Sequence, residues 1–417
     1  MFILYANKLM SFEANSYYEL NDCLKLKVEK IINMEFLKPI PKSTIDFLAS
    51  NCSQKSVFYS TTFTNNTEIL ENFDIAIIGV CDDRLRPEFS GSALAANAVR
   101  KEFYQLIKHR NDFRIVDLGN IEAGNTLSDT YFALKQTIAT LLKKNIMCLI
   151  IGASEDFVYA QYAAYEETHF NMNVLFVDAR VALKFDDDNA ENNGYISKII
   201  AHPKNYLFNI AHIGHQSYFV EPENYDAFER MNFDMLRLGN FRNKIQDIEP
   251  FCRNADMMAF NMSAIKAADA HGQNMPSANG FMGEEACQIA RYAGMSNDLK
   301  SFGIYNINPT HDLNNLTSQL AAQMLWYFID GFGNRKVEYP TKESNDFMVY
   351  YTSIQETYEI TFYKNIMSER WWMEVPYPKD RSDNKGSFMV PCSYADYQIA
   401  LSNEIPDRWI KAFQKLI

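Results

Sequence analysis

The sequence predicts an α/β protein with three layers, in which a mostly parallel sheet lies between two layers of helices, with an extension at each end of the chain. Between residues 71 and 335, short apolar runs rich in β-branched residues alternate with longer segments that have helical spacing. Strands that are apolar on both faces and separated by helices are typical of a parallel sheet covered on both sides. The ligand site of such a sheet lies at the carboxyl ends of its strands.

The predicted elements of this central zone follow one another in a regular order. The predicted strands are 73–80, 146–151, 174–178, 206–213, 257–261 and 302–307. The predicted helices are 93–108, 128–144, 156–167, 281–294 and 315–330. Because strand and helix alternate, we expect right-handed crossovers and strands that run in the same direction.

The two ends of the chain differ in character from the central zone. Residues 1–70 are mixed and irregular, and we interpret them as an extension that wraps or caps the core. Residues 336–417 hold many tyrosines and three of the four tryptophans, Trp371, Trp372 and Trp409. Aromatic residues at this density form either a module core or a contact surface. We expect them to pack onto the central domain, and the alternative is a protein partner or self-association through this extension.

Composition restricts the classes of partner. The 417 residues are 47% hydrophobic and carry a formal net charge of −12, which indicates a folded protein and argues against nucleic acid or an anionic membrane as a partner. No run approaches 18 consecutive apolar residues, so no membrane span is predicted. Seven scattered cysteines without a C-x-x-C pair are typical of a reducing compartment. We therefore expect a soluble, cytoplasmic protein.

Polar residues follow several of the predicted strands. The segments at these exits are Gly152-Ala153-Ser154-Glu155-Asp156, Asp178-Ala179-Arg180-Val181-Ala182 and Asn261-Met262-Ser263-Ala264. A helix that carries Glu285 in its first turn begins shortly after Gly280. In this order, residues 71–335 resemble the arginase/ureohydrolase superfamily, in a divergent, formimidoylglutamase-like bacterial branch. The resemblance implies an arginase-like sheet.

The resemblance also implies a metal centre, because the family binds two Mn²⁺ ions through two His and four Asp and uses a bridging hydroxide against a guanidinium or amidine carbon. The positions that correspond to these ligands are Glu155, Asp178, Arg180, Ala182, Asn261 and Ser263. Only Asp178 keeps the family identity. A fixed positive charge such as that of Arg180 at about 4 Å from a dication costs roughly 8 kcal/mol at an effective dielectric constant of about 20. We therefore expect Arg180 to replace the metals and to pair with the acids.

Two functional hypotheses follow from this degenerate metal site. The first is a non-catalytic binding, scaffolding or regulatory protein that needs no cofactor and whose pocket takes a small carboxylate or amidine. The pocket residues proposed are Arg180, Asp156, Glu285 and His215. The second is a hydrolase of linear amidine or guanidine C–N bonds with a remodelled site, in which Glu155, Asp178 and Asn261 hold a single Mn²⁺ ion or the reaction uses no metal at all. Helix capping explains Asp156 and Glu285 equally well, and a lone His such as His215 is more often structural.

Overall fold

The computed structural model describes residues 36–85, 87, 90–168, 171–184, 194–204, 206–242, 244–341, 344–354, 358–378 and 385–417. The first 35 residues, which make up half of the predicted N-terminal extension, lie outside the described residues. The described strands are β1 (Leu37–Lys38), β2 (Thr61–Phe63), β3 (Ile75–Cys81), β4 (Ile115–Glu122), β5 (Met147–Ile151), β6 (Met172–Val177), β7 (Leu207–His215), β8 (Asp234–Arg237), β9 (Met257–Asn261), β10 (Ser301–Tyr305), β11 (Phe347–Ile354), β12 (Tyr358–Asn365), β13 (Trp371–Pro378) and β14 (Lys385–Cys392).

The first ten of these strands form one twisted sheet. Its order is β1-β4-β3-β5-β10-β9-β6-β7-β8, and β2 also pairs with β4. Only β1 is antiparallel to its neighbour among these described strands, and the other pairs are parallel. The prediction of a mostly parallel sheet is confirmed, and five side chains in a row on β5 are buried because helices cover both of its faces.

Helices cover both faces of this sheet. The described helices are α1 (Lys42–Asn51), α2 (Ala95–Phe103), α3 (Leu127–Lys143), α4 (Val158–Ala163), α5 (Tyr195–Ile200), α6 (Pro222–Arg230), α7 (Glu249–Asn254), α8 (Gly283–Gly294), α9 (Leu316–Phe332), α10 (Tyr394–Leu401) and α11 (Asp407–Leu416). One apolar cluster joins the sheet to α2, α7, α8 and α9, and a second joins its other face to α3, α4, α5 and α6. The predicted three-layer architecture is therefore confirmed.

Strand β4 lies near one side of the sheet but is absent from the predicted elements. Its apolar pattern is broken by Asp117 and Asn120, both of which are buried. The guanidinium of Arg100, on α2, donates to both carboxylate oxygens of Asp117 at 2.8 and 2.9 Å. This pairing offsets part of the cost of burying the Asp117 carboxylate, which would be far more costly without a close, hydrogen-bonded partner. Strands β1 and β2 also show that part of the predicted N-terminal extension joins the central sheet.

The C-terminal segment forms a small module of its own. Strands β11 to β14 pair as an antiparallel meander, and α10 and α11 pack on one face around a core that includes Trp371 and Trp409. The module contacts the central domain through α7, where the buried Arg253 donates to the carbonyl oxygens of Trp371 and Cys392 at 3.0 and 3.3 Å. The same guanidinium lies 4.1 Å from the ring centroid of Trp372. The aromatic residues of this segment thus supply both a core and a docking contact.

None of the described helices is both long enough and apolar enough to cross a lipid bilayer.

Candidate active site

Four strand exits that are far apart in the sequence meet at one edge of the central sheet. Strands β5, β10, β9 and β6 are consecutive in the sheet, and all four run parallel. Glu155 follows β5, Asp178 follows β6, Asn261 ends β9, and Asn306 follows β10. All four side chains are buried. The structure therefore brings Glu155, Asp178 and Asn261 together, as the sequence predicted for the former metal positions.

The side-chain amide of Asn261 bridges the two carboxylates. Its Nδ2 donates to Glu155 Oε2 at 2.5 Å and to Asp178 Oδ2 at 2.7 Å, which uses both of its hydrogens. Its Oδ1 accepts from the backbone N–H of Ser263 and from Nδ2 of Asn306, both at 3.0 Å. The reversed amide would put an oxygen against two carboxylates and an NH₂ group against two N–H donors, so the network fixes this orientation.

Asn306 is a second amide in the same network, and no sequence pattern indicated it. Its Nδ2 donates to Glu155 Oε2 at 2.6 Å, and its Oδ1 accepts from the backbone N–H of Glu155 at 3.2 Å. Its backbone has φ = 66°, the left-handed region that Asn tolerates better than most residues. A single Asn after a strand resembles any turn residue in the sequence, and only the contact with Glu155 reveals its role.

The amides continue away from the carboxylates as a chain of buried asparagines. Asn274 donates to Asn306 Oδ1 at 3.2 Å and accepts from Asn308 at 3.1 Å. Asn308 also donates to the carbonyl oxygen of Ser90 at 3.3 Å. From Asn308 through Asn274 to Asn306, each amide donates to the next one along, and Asn306 donates to Glu155, so the chain delivers N–H dipoles to buried negative charge.

Burial dominates the electrostatics of Asp178. Desolvation raises the pKa of this carboxyl, while hydrogen bonds from Ser263, the backbone N–H of Arg180 and Asn261 act in the opposite direction. Ser263 Oγ donates at 2.6 Å, and the N–H of Arg180 donates at 3.0 Å, both to Oδ1. The hydroxyl of Tyr195, which the sequence did not single out, also faces Asp178. The pKa of Tyr195 is raised well above its usual value by burial and then by the charges of Asp178 and Glu155.

The side chain of Arg180 does not form the ion pairs with Asp178 and Glu155 that were expected from the sequence. Its guanidinium carbon lies 3.9 Å from the ring centroid of Phe219, in a cation–π contact. Among the described residues, no ion pair joins it to Asp178 or Glu155, and only its backbone N–H contacts Asp178. Other donors already occupy both oxygens of Asp178 and one oxygen of Glu155: the amide of Asn261 and the donors from Ser263 and the Arg180 backbone at Asp178, and the two amides at Glu155 Oε2. The expected direct ion pairs of Arg180 with these two acids are therefore wrong, although the charge of Arg180 still acts to lower the pKa of Asp178.

The remaining former metal positions offer little to a cation. Ala182 has no donor atom in its side chain, and its carbonyl oxygen accepts from the N–H of Ile196 at 3.2 Å. Ser263 uses its hydroxyl hydrogen for Asp178. Neither side chain therefore offers a free ligand atom to a metal in this geometry.

The other residues proposed for the pocket have local structural partners. Glu285 Oε2 accepts from the backbone N–H of Met282 at 2.8 Å and so caps the N-terminus of α8. Asp156 accepts from Ser154 Oγ at 3.0 Å. His215 contacts the hydroxyl of Tyr225 through Nε2 at 3.1 Å, and burial lowers its pKa to about 4. The side chains of Glu285 and His215 therefore have structural contacts independent of any ligand.

This set of side chains does not fit a pair of Mn²⁺ ions. Mn²⁺ prefers carboxylate oxygen and neutral imidazole, whereas here an amide NH₂ group lies between the acids and its oxygen faces two other donors. Within the part of the chain that the structure describes, no three His, Cys, Asp or Glu side chains are grouped to hold a metal. The hydrogen-bond network takes the place that a cation would need between Glu155 and Asp178.

A family model described as "Arginase family" matches residues 73–330, which is more than half of the chain. The chain belongs to the arginase family. This confirms the resemblance that the strand exits indicated. The matched residues of this arginase-family chain cover the whole central sheet except β1 and β2, and they include the four residues of the amide and carboxylate network.

Among curated relatives, formimidoylglutamases are similar to this arginase-family chain. The protein of Staphylococcus haemolyticus is 26% identical over 259 residues, which cover 57% of this chain and 79% of the relative. The protein of Lysinibacillus sphaericus is 23% identical over 278 residues, which cover 63% of this chain and 86% of the relative. Identity at this level leaves room for large changes at individual site positions.

Solved structures of formimidoylglutamases share the fold of this arginase-family chain. The formiminoglutamase of Trypanosoma cruzi, solved with a pair of Mn²⁺ ions, has a TM-score of 0.58 at 18% identity and covers 64% of this chain and 95% of its own. The formimidoylglutamase of Bacillus subtilis has a TM-score of 0.57 at 18% identity and covers 62% of this chain and 87% of its own.

Proposed function

We propose that this arginase-family protein does not hydrolyse its ligand with metal-bound hydroxide, and that it acts instead by binding, as a regulatory or scaffolding protein. The observation that carries the proposal is the position of Asn261, whose Nδ2 donates to both Glu155 and Asp178. A metal-activated hydroxide requires a dication at this place, with oxygen or imidazole ligands around it. Here the two N–H bonds of the Asn261 amide point their positive ends at the carboxylates instead.

The energetic cost of reopening this site supports the proposal. A hydrogen bond to a charged group contributes about 1.5–3 kcal/mol, and Asn261 makes two of them. For Asn261 to offer its oxygen to a metal, the amide must turn, which breaks these bonds and also those with Ser263 and Asn306. The metal would then have to offset four lost hydrogen bonds with only three ligands: Glu155, Asp178 and Asn261.

The second candidate is a hydrolase of linear amidines or guanidines, and the relatives named formimidoylglutamase favour it. In this reaction water adds its oxygen to the amidine carbon and the C–N bond breaks. The amine then leaves with the proton that water gave up. Two buried carboxylates, Glu155 and Asp178, remain available for proton transfer or for a single Mn²⁺. Asn261 would have to release both of them first.

Metal binding and hydrolysis, measured on the same full-length sample, distinguish the two candidates. The signal of free Mn²⁺ in electron paramagnetic resonance reports binding, and release of formamide or urea from formiminoglutamate, agmatine and arginine reports activity. We expect the free Mn²⁺ signal to be unchanged by an equimolar amount of protein, with no product above background. Stoichiometric Mn²⁺ binding together with product release would overturn the proposal in favour of the hydrolase.

A variant in which the family's metal ligands are restored serves as the positive control for metal binding by this fold. The combined substitutions are Arg180→His, Ala182→Asp, Asn261→Asp and Ser263→Asp, and Ala182→Asp alone is the matched control. We expect the combined variant to take up Mn²⁺ and the single variant not to, because only the former removes the amide between the acids. If the wild-type protein and the single variant bind Mn²⁺ as well as the combined variant does, the amide network is not a barrier.

The ligand proposed for a binding function is a small carboxylate held by Arg180. Within the described part of the chain, the buried Nη1 of Arg180 has no hydrogen-bond partner, and guanidinium groups suit carboxylates. A thermal-shift screen of mono- and dicarboxylates, including glutamate, tests this on the wild type and on Arg180→Gln. We expect a shift that the substitution removes, and equal shifts in both proteins would contradict this ligand.

The described cysteines are free thiols, which supports the proposed cytoplasmic location.

A further inference from the structure

We infer that β11 is the edge through which two copies of this chain associate, by antiparallel pairing of the strand with its own copy. Strand β11 ends the four-stranded sheet of the C-terminal module and, among the residues that the structure describes, pairs on one side only, with β12. Its eight residues pair with β12 without a register shift, so the strand is regular over its whole length. An edge strand of this kind presents a row of N–H and C=O groups to a further strand.

The sequence of β11 lacks the features that usually protect an edge. The strand reads FMVYYTSI and contains no charged residue, no proline and no glycine. Met348 and Val349 are 41% and 39% exposed, and Tyr351 is 69% exposed. Long, regular and apolar edge strands without charge or proline are the ones that pair with another chain.

The other sheet edges of the molecule are short, charged or covered. In the central sheet, β1 has two residues, and β8 has four, of which Asp234 and Arg237 are charged. Asp234 also pairs with Lys411 at 3.4 Å. The opposite edge of the C-terminal sheet, β14, lies against the central domain, where Phe388 contacts Phe208 with ring centroids 5.8 Å apart. Of the described edges, β11 is thus the long one that is left open.

Helix α10 adds further apolar side chains next to the open edge of β11. It packs against β11, and its Tyr394, Ile399 and Leu401 are exposed. Its one charged residue, Asp396, accepts hydrogen bonds from the backbone N–H and hydroxyl of Ser393 at 2.7 and 3.0 Å. The open edge therefore combines unpaired backbone groups of β11 with exposed apolar side chains from both β11 and α10.

The charge distribution favours a second copy as the occupant. The chain has a formal net charge of −12, so association of two copies costs less electrostatic repulsion through a neutral surface than through an acidic one. Strand β11 is such a neutral surface, and it offers no charge by which a partner of opposite sign would be recognised. Antiparallel pairing about a two-fold axis normal to the sheet, centred at Tyr350, places Val349 opposite Tyr351 of the second copy. No like charges then oppose each other.

Sedimentation equilibrium of the full-length protein tests this pairing. The variants are Val349→Lys and Tyr351→Lys, and the matched control is Leu313→Lys, at an exposed apolar residue of the central domain. We expect each β11 variant to halve the mass of the wild-type assembly and to weaken association roughly tenfold or more, since a lysine at a paired edge opposes a second strand. The control should keep the wild-type mass, and circular dichroism should show that all variants are folded.

The other outcomes each contradict the proposal. A wild-type chain that is monomeric at all concentrations would mean that no second copy occupies β11. If deletion of residues 1–35 then produces an assembly, the chain's own N-terminal segment covers the edge. An assembly whose mass is unchanged in both β11 variants, or is halved only by Leu313→Lys, would place the contact on the central domain.

Discussion

Nδ2 of Asn261 lies 2.7 Å from Oδ2 of Asp178, at the point where the arginase fold brings the exits of β6 and β9 together. Desolvation raises the pKa of the buried Asp178 carboxyl, and the hydrogen bond from this amide acts against that rise by stabilising the carboxylate form. An N–H donor at this place satisfies the acid without a cation. This one contact links the stability of the site to the proposed loss of metal chemistry.

Replacement of this amide by a third carboxylate should destabilise the protein. We expect Asn261→Asp to lower the free energy of unfolding by about 3 kcal/mol or more at pH 8, because it removes two hydrogen bonds and opposes like charges. The loss should shrink at pH 5, where protonation relieves the repulsion. Urea unfolding at both pH values measures it. The control is Asn240→Asp, at an exposed Asn, and an equal cost in both variants would contradict the role of Asn261.

Acid should destabilise the protein through His215. Burial lowers its pKa to about 4, below the value near 6.5 that an unfolded chain has, so the unfolded state takes up a proton first as the pH falls. The contribution is complete above pH 6.5 and decreases by about 3 kcal/mol on going down to pH 4. Unfolding free energies across this range should fall less steeply in His215→Gln. Replacement of the exposed His311 by Gln should leave the slope unchanged.

Glu285 should behave as a helix cap. Its carboxylate accepts from the N–H of Met282, and Gln can make the same bond. We expect Glu285→Ala to cost about 1 kcal/mol of unfolding free energy and Glu285→Gln less than about 0.5 kcal/mol. Thermal denaturation compares the two with Glu284→Ala, at an exposed neighbour. If Glu285→Gln instead abolishes ligand binding with no change in stability, the residue belongs to the pocket.

Loss of Arg253 should loosen the C-terminal module. Its guanidinium donates to two carbonyl oxygens of the module and pairs with Glu249 at 3.1 Å. We expect Arg253→Met to cost about 3 kcal/mol and to separate the unfolding of the module from that of the central domain. Calorimetry and limited proteolysis near residues 333–341 would detect this. A single transition like that of the surface control Arg230→Met would show that the contact is dispensable.

Regular, apolar strands could be predicted from the sequence, and polar ones could not. Strands β5 and β9 coincide with predicted runs because consecutive buried residues leave a continuous apolar signal. Strand β4 has no such signal, since Asp117 and Asn120 interrupt it, and its burial depends on Arg100 from α2. The charge that makes β4 look like a loop is neutralised only by a residue brought near it by folding.

In the candidate site, too, some residues could be predicted from the sequence and others could not. Glu155, Asp178 and Asn261 could be placed at one sheet edge from the order of strands and the family resemblance. Asn306 and Tyr195 could not, because the predicted strand 302–307 contains Asn306 rather than ending before it, and Tyr195 begins a helix that was not predicted from the sequence. Their contacts with the two acids arise from sheet order and helix packing, which no local pattern encodes.

The sequence by itself determined the alternation of strands and helices, the family, and which residue types stand at the strand exits. Only the tertiary structure decided which groups satisfy the buried carboxylates. Residues close in sequence, such as Asp178 and Arg180, diverge at the turn after β6, and the guanidinium turns to Phe219. Residues far apart, such as Glu155, Asn261 and Asn306, meet because adjacent parallel strands end at a common edge, and hydrogen bonding depends on that proximity.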